Sequence, residues 1–152
     1  MPLPVLFTAL LICVTLSGHS QNCDAALNTY KGWSSRSITP VDGTNFQMEL
    51  TNKQSEPLVF ELKAIAGDND CTPDETANTG SLLNTRISYQ GKDISKIMVP
   101  ANSTTSFILS VSKGTATRLN SWYCLEVAAS SLACTQRYSN KLKVYLSDGK
   151  DY

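Results

Sequence analysis

The first twenty residues constrain this chain most. Residues 1–20 contain no Asp, Glu, Lys or Arg, and they carry a mainly apolar run over 3–16. This layout is typical of a secretory signal peptide, with the small residues Gly18 and Ser20 preceding a cleavage point at Gln21. The apolar run is shorter than the roughly 20 residues that a membrane-spanning helix needs. We therefore expect no membrane span, and we expect residues 21–152 to be exported to the cell envelope, periplasm or extracellular space.

Cysteine content supports an exported protein. Removal of residues 1–20 takes away Cys13 and leaves an even number of cysteines, namely Cys23, Cys71, Cys124 and Cys134. An even count in an exported chain predicts two disulfides, and four cysteines allow three pairings. We favour the pairing of Cys124 with Cys134, which are close in sequence, and of Cys23 with Cys71. Zinc is disfavoured because the closely spaced cysteine pairs of a thiolate site are missing.

The same cleavage removes His19, which is the only histidine. Without histidine the protein has no Ser-His-Asp triad, Cys-His pair or histidine-ligated zinc site. The 13 basic and 13 acidic residues balance, and no basic run predicts binding to nucleic acid. We therefore expect neither an enzyme nor a cofactor.

Short stretches of alternating polar and apolar residues indicate an all-β domain. The alternation predicts strands over 44–51, 58–66, 82–89, 94–99, 104–112, 121–129 and 140–147. Residues 24–27 are interpreted as a possible helical turn and 34–38 as an edge strand. Six or seven strands favour an immunoglobulin-like two-sheet antiparallel sandwich as one domain over 21–152, with 21–43 partly irregular. The inward positions include Phe60, Phe107, Leu125 and Val144, whereas Lys143 faces outward. In the strand over 58–66, Val59 and Ile65 add apolar residues to the second face, so we expect this strand to be more buried.

Three segments carry a resemblance to known domains. Residues 48–62, which contain Thr51-Asn52 between two strands, and 99–111, which begin Val-Pro-Ala-Asn-Ser, resemble CARDB-like and NEW-type accessory domains. The hairpin around 123–144 resembles the last two strands of a fibronectin type III domain. The cysteines at 71, 124 and 134, with Trp122-Tyr123, are similar to those of exported Bacteroidetes proteins. The resemblance implies an immunoglobulin-like fold and an accessory or adhesive role, and it implies no catalytic residues.

Two groups of residues are candidates for binding. Calcium prefers carboxylate and carbonyl oxygens supplied by a loop, and the densest acidic cluster contains Asp68, Asp70, Asp74 and Glu75. That loop lacks EF-hand spacing, so a solvated loop is the preferred interpretation. Exposed aromatic residues suit ligand surfaces, and the candidates are Trp33, Trp122 and Tyr145. Packing against a sheet face is the competing interpretation for them.

Asn102-Ser-Thr is the one glycosylation sequon, which matters only in a eukaryotic secretory pathway. The sequence as a whole favours a secreted, non-catalytic module that binds an extracellular protein or glycan. The alternative is a small secreted hydrolase or inhibitor-like effector that uses loop carboxylates.

Overall fold

A computed structural model describes residues 22–67 and 82–150, and within these ranges the chain is almost entirely β. The strands are β1 (Ala25–Thr29), β2 (Ser35–Ile38), β3 (Thr44–Asn52), β4 (Leu58–Gly67), β5 (Leu83–Tyr89), β6 (Lys92–Asp93), β7 (Lys96–Val99), β8 (Ser103–Lys113), β9 (Ser121–Ser130) and β10 (Arg137–Leu146). A 3-10 turn, Tyr30–Gly32, links β1 to β2. None of the described residues forms a helix with the length and apolar character needed to cross a membrane.

The strands form two five-stranded sheets packed as a sandwich. Sheet one has the order β1-β3-β8-β5-β6, and sheet two has the order β2-β10-β9-β4-β7. Every pairing is antiparallel except that of β2 with β10, which is parallel. The prediction of an all-β two-sheet sandwich is thus confirmed.

The core between the sheets is built from alternate residues of each strand. Phe60, Phe107, Leu125 and Val144 are all buried, as predicted, whereas Lys143 is exposed. Side chains from opposite faces fill the space between the sheets and supply most of the apolar burial that stabilises the fold. Val59 departs from the prediction: it lies on the outer face of β4, opposite Met98 of the edge strand, and is 52% exposed.

The N-terminal segment differs from the sequence prediction in one element. Residues 25–29 form strand β1, which pairs with β3 from Ala25↔Asn52 to Thr29↔Met48, so the predicted helical turn is wrong. Leu27 and Thr29 are buried on alternate positions, and pairing with a neighbouring strand has overridden weak local preference. The edge strand predicted over 34–38 is confirmed as β2. The N-terminal segment therefore contributes one strand to each sheet, β1 to sheet one and β2 to sheet two.

The disulfide pairing that we favoured from the sequence is wrong. Among the described residues the structure contains one disulfide, which joins Cys23 to Cys134 with a Cα–Cα distance of 5.4 Å. Cys124 lies within β9, six residues before that strand ends, which is roughly 20 Å along an extended chain. Cys134 lies beyond the end of β9, where the N-terminal segment passes, and Tyr138 donates a 2.7 Å hydrogen bond to the Cys23 carbonyl oxygen there. Cys124 is also disulfide-bonded, and its partner lies outside the described residues.

One fully buried polar side chain, Asn52, organises an end of the sandwich. Its Nδ2 donates to the carbonyl oxygens of Glu56 at 2.9 Å, Val99 at 3.1 Å and Pro100 at 3.2 Å. Its Oδ1 accepts a 2.9 Å hydrogen bond from the Gln54 backbone N–H. Asn52 thereby ties the β3–β4 turn to the start of the β7–β8 turn, and its burial is explained by this satisfied set of hydrogen bonds.

Candidate ligand-binding site at the strand crossover

The three aromatic residues predicted to bind a ligand occupy two separate places. Trp122 of β9 and Tyr145 of β10 are register partners, and their ring centroids lie 5.1 Å apart on the outer face of sheet two. Trp122 is 46% exposed there. Trp33 instead lies in the segment between β1 and β2 and is 55% exposed. The structure therefore brings Trp122 and Tyr145 together and places Trp33 in a different environment.

Trp33 lines a pocket of about 260 Å³, which we call the crossover pocket. Its lining includes Tyr30, Trp33, Arg36, Asn45, Gln47 and Ile108. The pocket arises because the chain leaves sheet one after Thr29 and joins sheet two at Ser35. Lys31 and Gly32 adopt positive φ angles of 54° and 70° in the linking turn, a conformation that reverses the chain within a few residues.

Two cations lie against the aromatic rings of the crossover pocket. The Lys31 ammonium is 5.2 Å from the Tyr30 ring centroid and 5.9 Å from that of Trp33. The Arg36 guanidinium carbon is 5.1 Å from the Trp33 ring centroid. These distances are within the range of cation–π attraction. Sequence reasoning missed Lys31 and Arg36, and the signal that it passed over is the grouping of two cations and two aromatic residues within seven positions.

Two further depressions lack aromatic side chains in their linings. One, of about 390 Å³, lies over β3, β5 and β8 and includes Gly43, Asn45, Asn84 and Arg86 in its lining. The other, of about 520 Å³, lies beside the crossover and includes Asn28, Ser34, Ser139 and Lys141. Neither is lined by an aromatic side chain, so the crossover pocket is the stronger candidate for recognition of an organic ligand.

The predicted calcium ligands cannot be placed. Asp68, Asp70, Asp74 and Glu75 lie outside the described residues, and no group of three or more potential metal ligands occurs within 22–67 and 82–150. Acidic residues elsewhere in these ranges form surface ion pairs, such as Asp24 with Lys53 at 3.4 Å. Exposed pairs of this kind contribute little to stability.

Two titratable groups have pKa values displaced by their surroundings. Desolvation raises the pKa of Tyr138, and the nearby charge of Asp24 raises it further. The Lys150 backbone N–H, followed by the Asn120 side chain, lowers the pKa of the exposed Asp148 carboxyl. Tyr138 is held by its hydrogen bond to the Cys23 carbonyl and by an edge-on contact with Phe60 at 6.1 Å. Both groups serve local structure.

Comparison with solved structures shows the fold. The chain is similar to part of a family 123 glycoside hydrolase from Clostridium perfringens, with a TM-score of 0.53 and 8% identity over 82% of this chain and 27% of that one. It is similar to a FixG-related protein from Vibrio parahaemolyticus, with a TM-score of 0.50 and 11% identity over 83% and 97% of the two chains. The periplasmic chaperone SfaE gives a TM-score of 0.48 and 10% identity over 82% of this chain and 57% of its own.

No protein-family model and no curated protein matches the chain. The two five-stranded sheets fit the predicted immunoglobulin-like sandwich, whereas membership of the CARDB-like, NEW-type or fibronectin type III families is not shown. The chain spans 57% of SfaE and 27% of the hydrolase. At identities of 8–11%, these similarities concern the fold only.

Proposed function

We propose that this protein is an exported, non-catalytic binding module of the cell envelope or extracellular space, with a protein or glycan as its ligand. The crossover pocket carries the proposal. Its two aromatic rings lie in the segment that links the two sheets, and both are accessible to solvent. Aromatic side chains supply a large contact area for a ligand.

Export is supported by the Cys23–Cys134 disulfide, because structural disulfides persist in oxidising compartments. Residues 1–20 lie outside the described residues, so the signal peptide and the single domain over 21–152 are part of the proposal. Sequencing of the exported protein should begin at Gln21. A protein that retains the N-terminal segment and remains with the membrane would contradict cleavage.

The non-catalytic part of the proposal rests on the chemistry of the crossover pocket. Its lining offers a guanidinium, amides and aromatic rings, whereas general acid–base catalysis needs a group that exchanges a proton near the working pH. The alternative of a hydrolase or inhibitor-like effector relies on Asp68, Asp70, Asp74 and Glu75, and no observation on the described residues favours it.

The two tryptophans allow a direct test of binding. Immobilised protein would be exposed to envelope and extracellular material from the producing cells, and retained protein and polysaccharide would be compared between variants. We expect Trp33→Ala to abolish retention of the ligand that wild type holds. Leu132→Ala is the matched control, because Leu132 is a fully exposed apolar residue in the turn after β9. Trp122→Ala tests the aromatic pair on sheet two separately.

Circular dichroism and thermal melting must show that each variant is folded. If folded Trp33→Ala and Trp122→Ala proteins both retain the same material as wild type, neither aromatic surface binds it. The proposal would then be wrong.

A further inference from the structure

Arg36 has an environment that the fold alone does not explain. It lies on β2 two residues before Ile38, which is buried in the core, and its Nε atom is itself buried. Within 22–67 and 82–150, this Nε is the one buried side-chain nitrogen or oxygen without a hydrogen-bond partner. A buried charged donor without an acceptor destabilises a protein. A buried donor of this kind calls for an explanation, and a bound partner that completes its hydrogen bonding is one.

The surroundings of Arg36 are those of a binding site for an anion with an apolar body. Trp33 and Tyr30 provide aromatic surfaces, and Lys31 adds a second positive charge beside both rings. Ile108 adds an apolar contact from β8. No carboxylate contributes to the described lining, so the charge of the pocket is positive and uncompensated.

The polar groups of the pocket indicate what kind of anion it accepts. Asn45 and Gln47 are exposed on the outer face of β3, and an amide side chain can both donate and accept hydrogen bonds. Vicinal hydroxyl groups need that dual capacity. A peptide carboxyl terminus is captured by a nest of backbone N–H groups. The backbone of β3 does not offer such a nest, because residues 44–52 are paired with β8.

We propose that the crossover pocket binds an acidic sugar residue, a uronate, with its carboxylate on Arg36 and its ring against Trp33 and Tyr30. The inference rests on the proposed binding function and specifies its ligand class. Arginine is suited to this role because its planar fork binds a carboxylate through two parallel hydrogen bonds. The pocket volume of about 260 Å³ is below the roughly 300–1,000 Å³ of sites for drug-sized ligands, so one sugar ring fills it.

The chain contains two tryptophans, and this makes the test specific. In a Trp122→Phe protein the fluorescence reports Trp33, and in a Trp33→Phe protein it reports Trp122. The probe is a linear galacturonate trimer, and its fully methyl-esterified form is the matched neutral control. We expect the acidic trimer to change the Trp33 emission in a saturable manner and to leave the Trp122 emission unchanged.

Two comparisons test the role of Arg36. The methyl ester should bind at least about tenfold more weakly than the acid, because charge-assisted hydrogen bonds to the carboxylate are lost. Arg36→Gln, made in the Trp122→Phe protein, should reduce affinity for the acidic trimer to that for the ester. Arg36→Lys should bind with intermediate affinity, since lysine keeps the charge and loses the fork.

Three outcomes would overturn the inference: no saturable change at Trp33, equal affinities for the acid and its ester, or a response to an acidic tripeptide such as Gly-Gly-Glu but not to the trimer. The acid–ester comparison uses one protein, so it remains decisive if Arg36→Gln fails to fold. If the envelope ligand is still lost on Trp33→Ala while the trimer fails to bind, the binding function stands and the uronate assignment falls.

Discussion

Asn52 is the polar residue on which the stability of one end of the sandwich depends most. Its amide makes three contacts to carbonyl oxygens but has two N–H bonds, so we count two full hydrogen bonds. Each buried acceptor left unsatisfied costs about 1–3 kcal/mol. Of the three acceptors, the Val99 carbonyl is buried and those of Glu56 and Pro100 are partly buried. Asn52→Ala should therefore reduce the free energy of unfolding by about 2–4 kcal/mol, a large part of the total for a domain of this size. The midpoint of thermal unfolding should fall by roughly 6–20 °C, at about 3–5 °C per kcal/mol for a domain of this length.

Asn52→Asp gives the sharper test, because it leaves no cavity. The carboxylate faces carbonyl oxygens and is buried, so the pKa of this introduced group is raised in the folded state above its unfolded value. Because its pKa is raised by folding, the ionised carboxyl destabilises the folded state. The loss of unfolding free energy caused by ionisation is therefore complete above the folded-state pKa and absent below the unfolded-state pKa. Chemical denaturation at pH 7 and pH 4 should show the Asp variant recovering towards wild type at pH 4, with a pH-independent deficit for the Ala variant.

Asn45→Asp is the matched control, since the Asn45 side chain is exposed on the same strand, and it should unfold with nearly wild-type stability at both pH values. An Asn52→Asp protein within about 1 kcal/mol of wild type at pH 7, where a buried unpaired carboxylate should cost more, would refute this account of the hydrogen bonds.

Two further predictions concern the disulfides and the core. Gly67 is the β4 register partner of Cys124, and it lies four residues before Cys71 in sequence. Mass mapping of non-reduced peptides should therefore find a Cys71–Cys124 disulfide. A free thiol at either position would contradict this prediction. Phe107→Ala should lower the free energy of unfolding by about 3–5 kcal/mol, whereas Lys143→Ala should change it by less than about 0.5 kcal/mol. Both values would be measured by denaturant unfolding. Comparable losses would contradict the assignment of Phe107 to the core and of Lys143 to the surface.

The sequence predicts the sandwich well where strands are long and one face is buried. Strands β3, β8 and β10 alternate over nine or more residues, and a period of two fixes which side chains face the core. Strand β1 escapes prediction because its five residues include two alanines and an asparagine, which have weak β preference. Its identity as a strand comes from pairing with β3, a contact between positions far apart in sequence.

The candidate site is harder to predict than the fold, for a related reason. An isolated arginine in a short edge strand is typical of residues that prevent edge-to-edge aggregation, so Arg36 taken alone carries no functional signal. The signal in the sequence is its grouping with Tyr30, Lys31 and Trp33. The favoured cysteine pairing fails similarly, since closeness along the chain between Cys124 and Cys134 is cancelled by extension of β9. Both outcomes depend on which strands lie side by side in space.

The passage of the N-terminal segment from β1 in sheet one to β2 in sheet two also means that the residues that bind a ligand are not those that stabilise the fold. Thr29 pairs in sheet one and Ser35 in sheet two, so the residues between them belong to neither set of alternating core positions. Tyr30 and Trp33 consequently remain accessible, and apolar area that stays exposed to water contributes little to folding. A ligand that buries these rings gains free energy that the fold has not used. Substitutions at Trp33 should therefore alter ligand affinity far more than unfolding free energy, which is the reverse of the behaviour expected at Phe107 or Asn52.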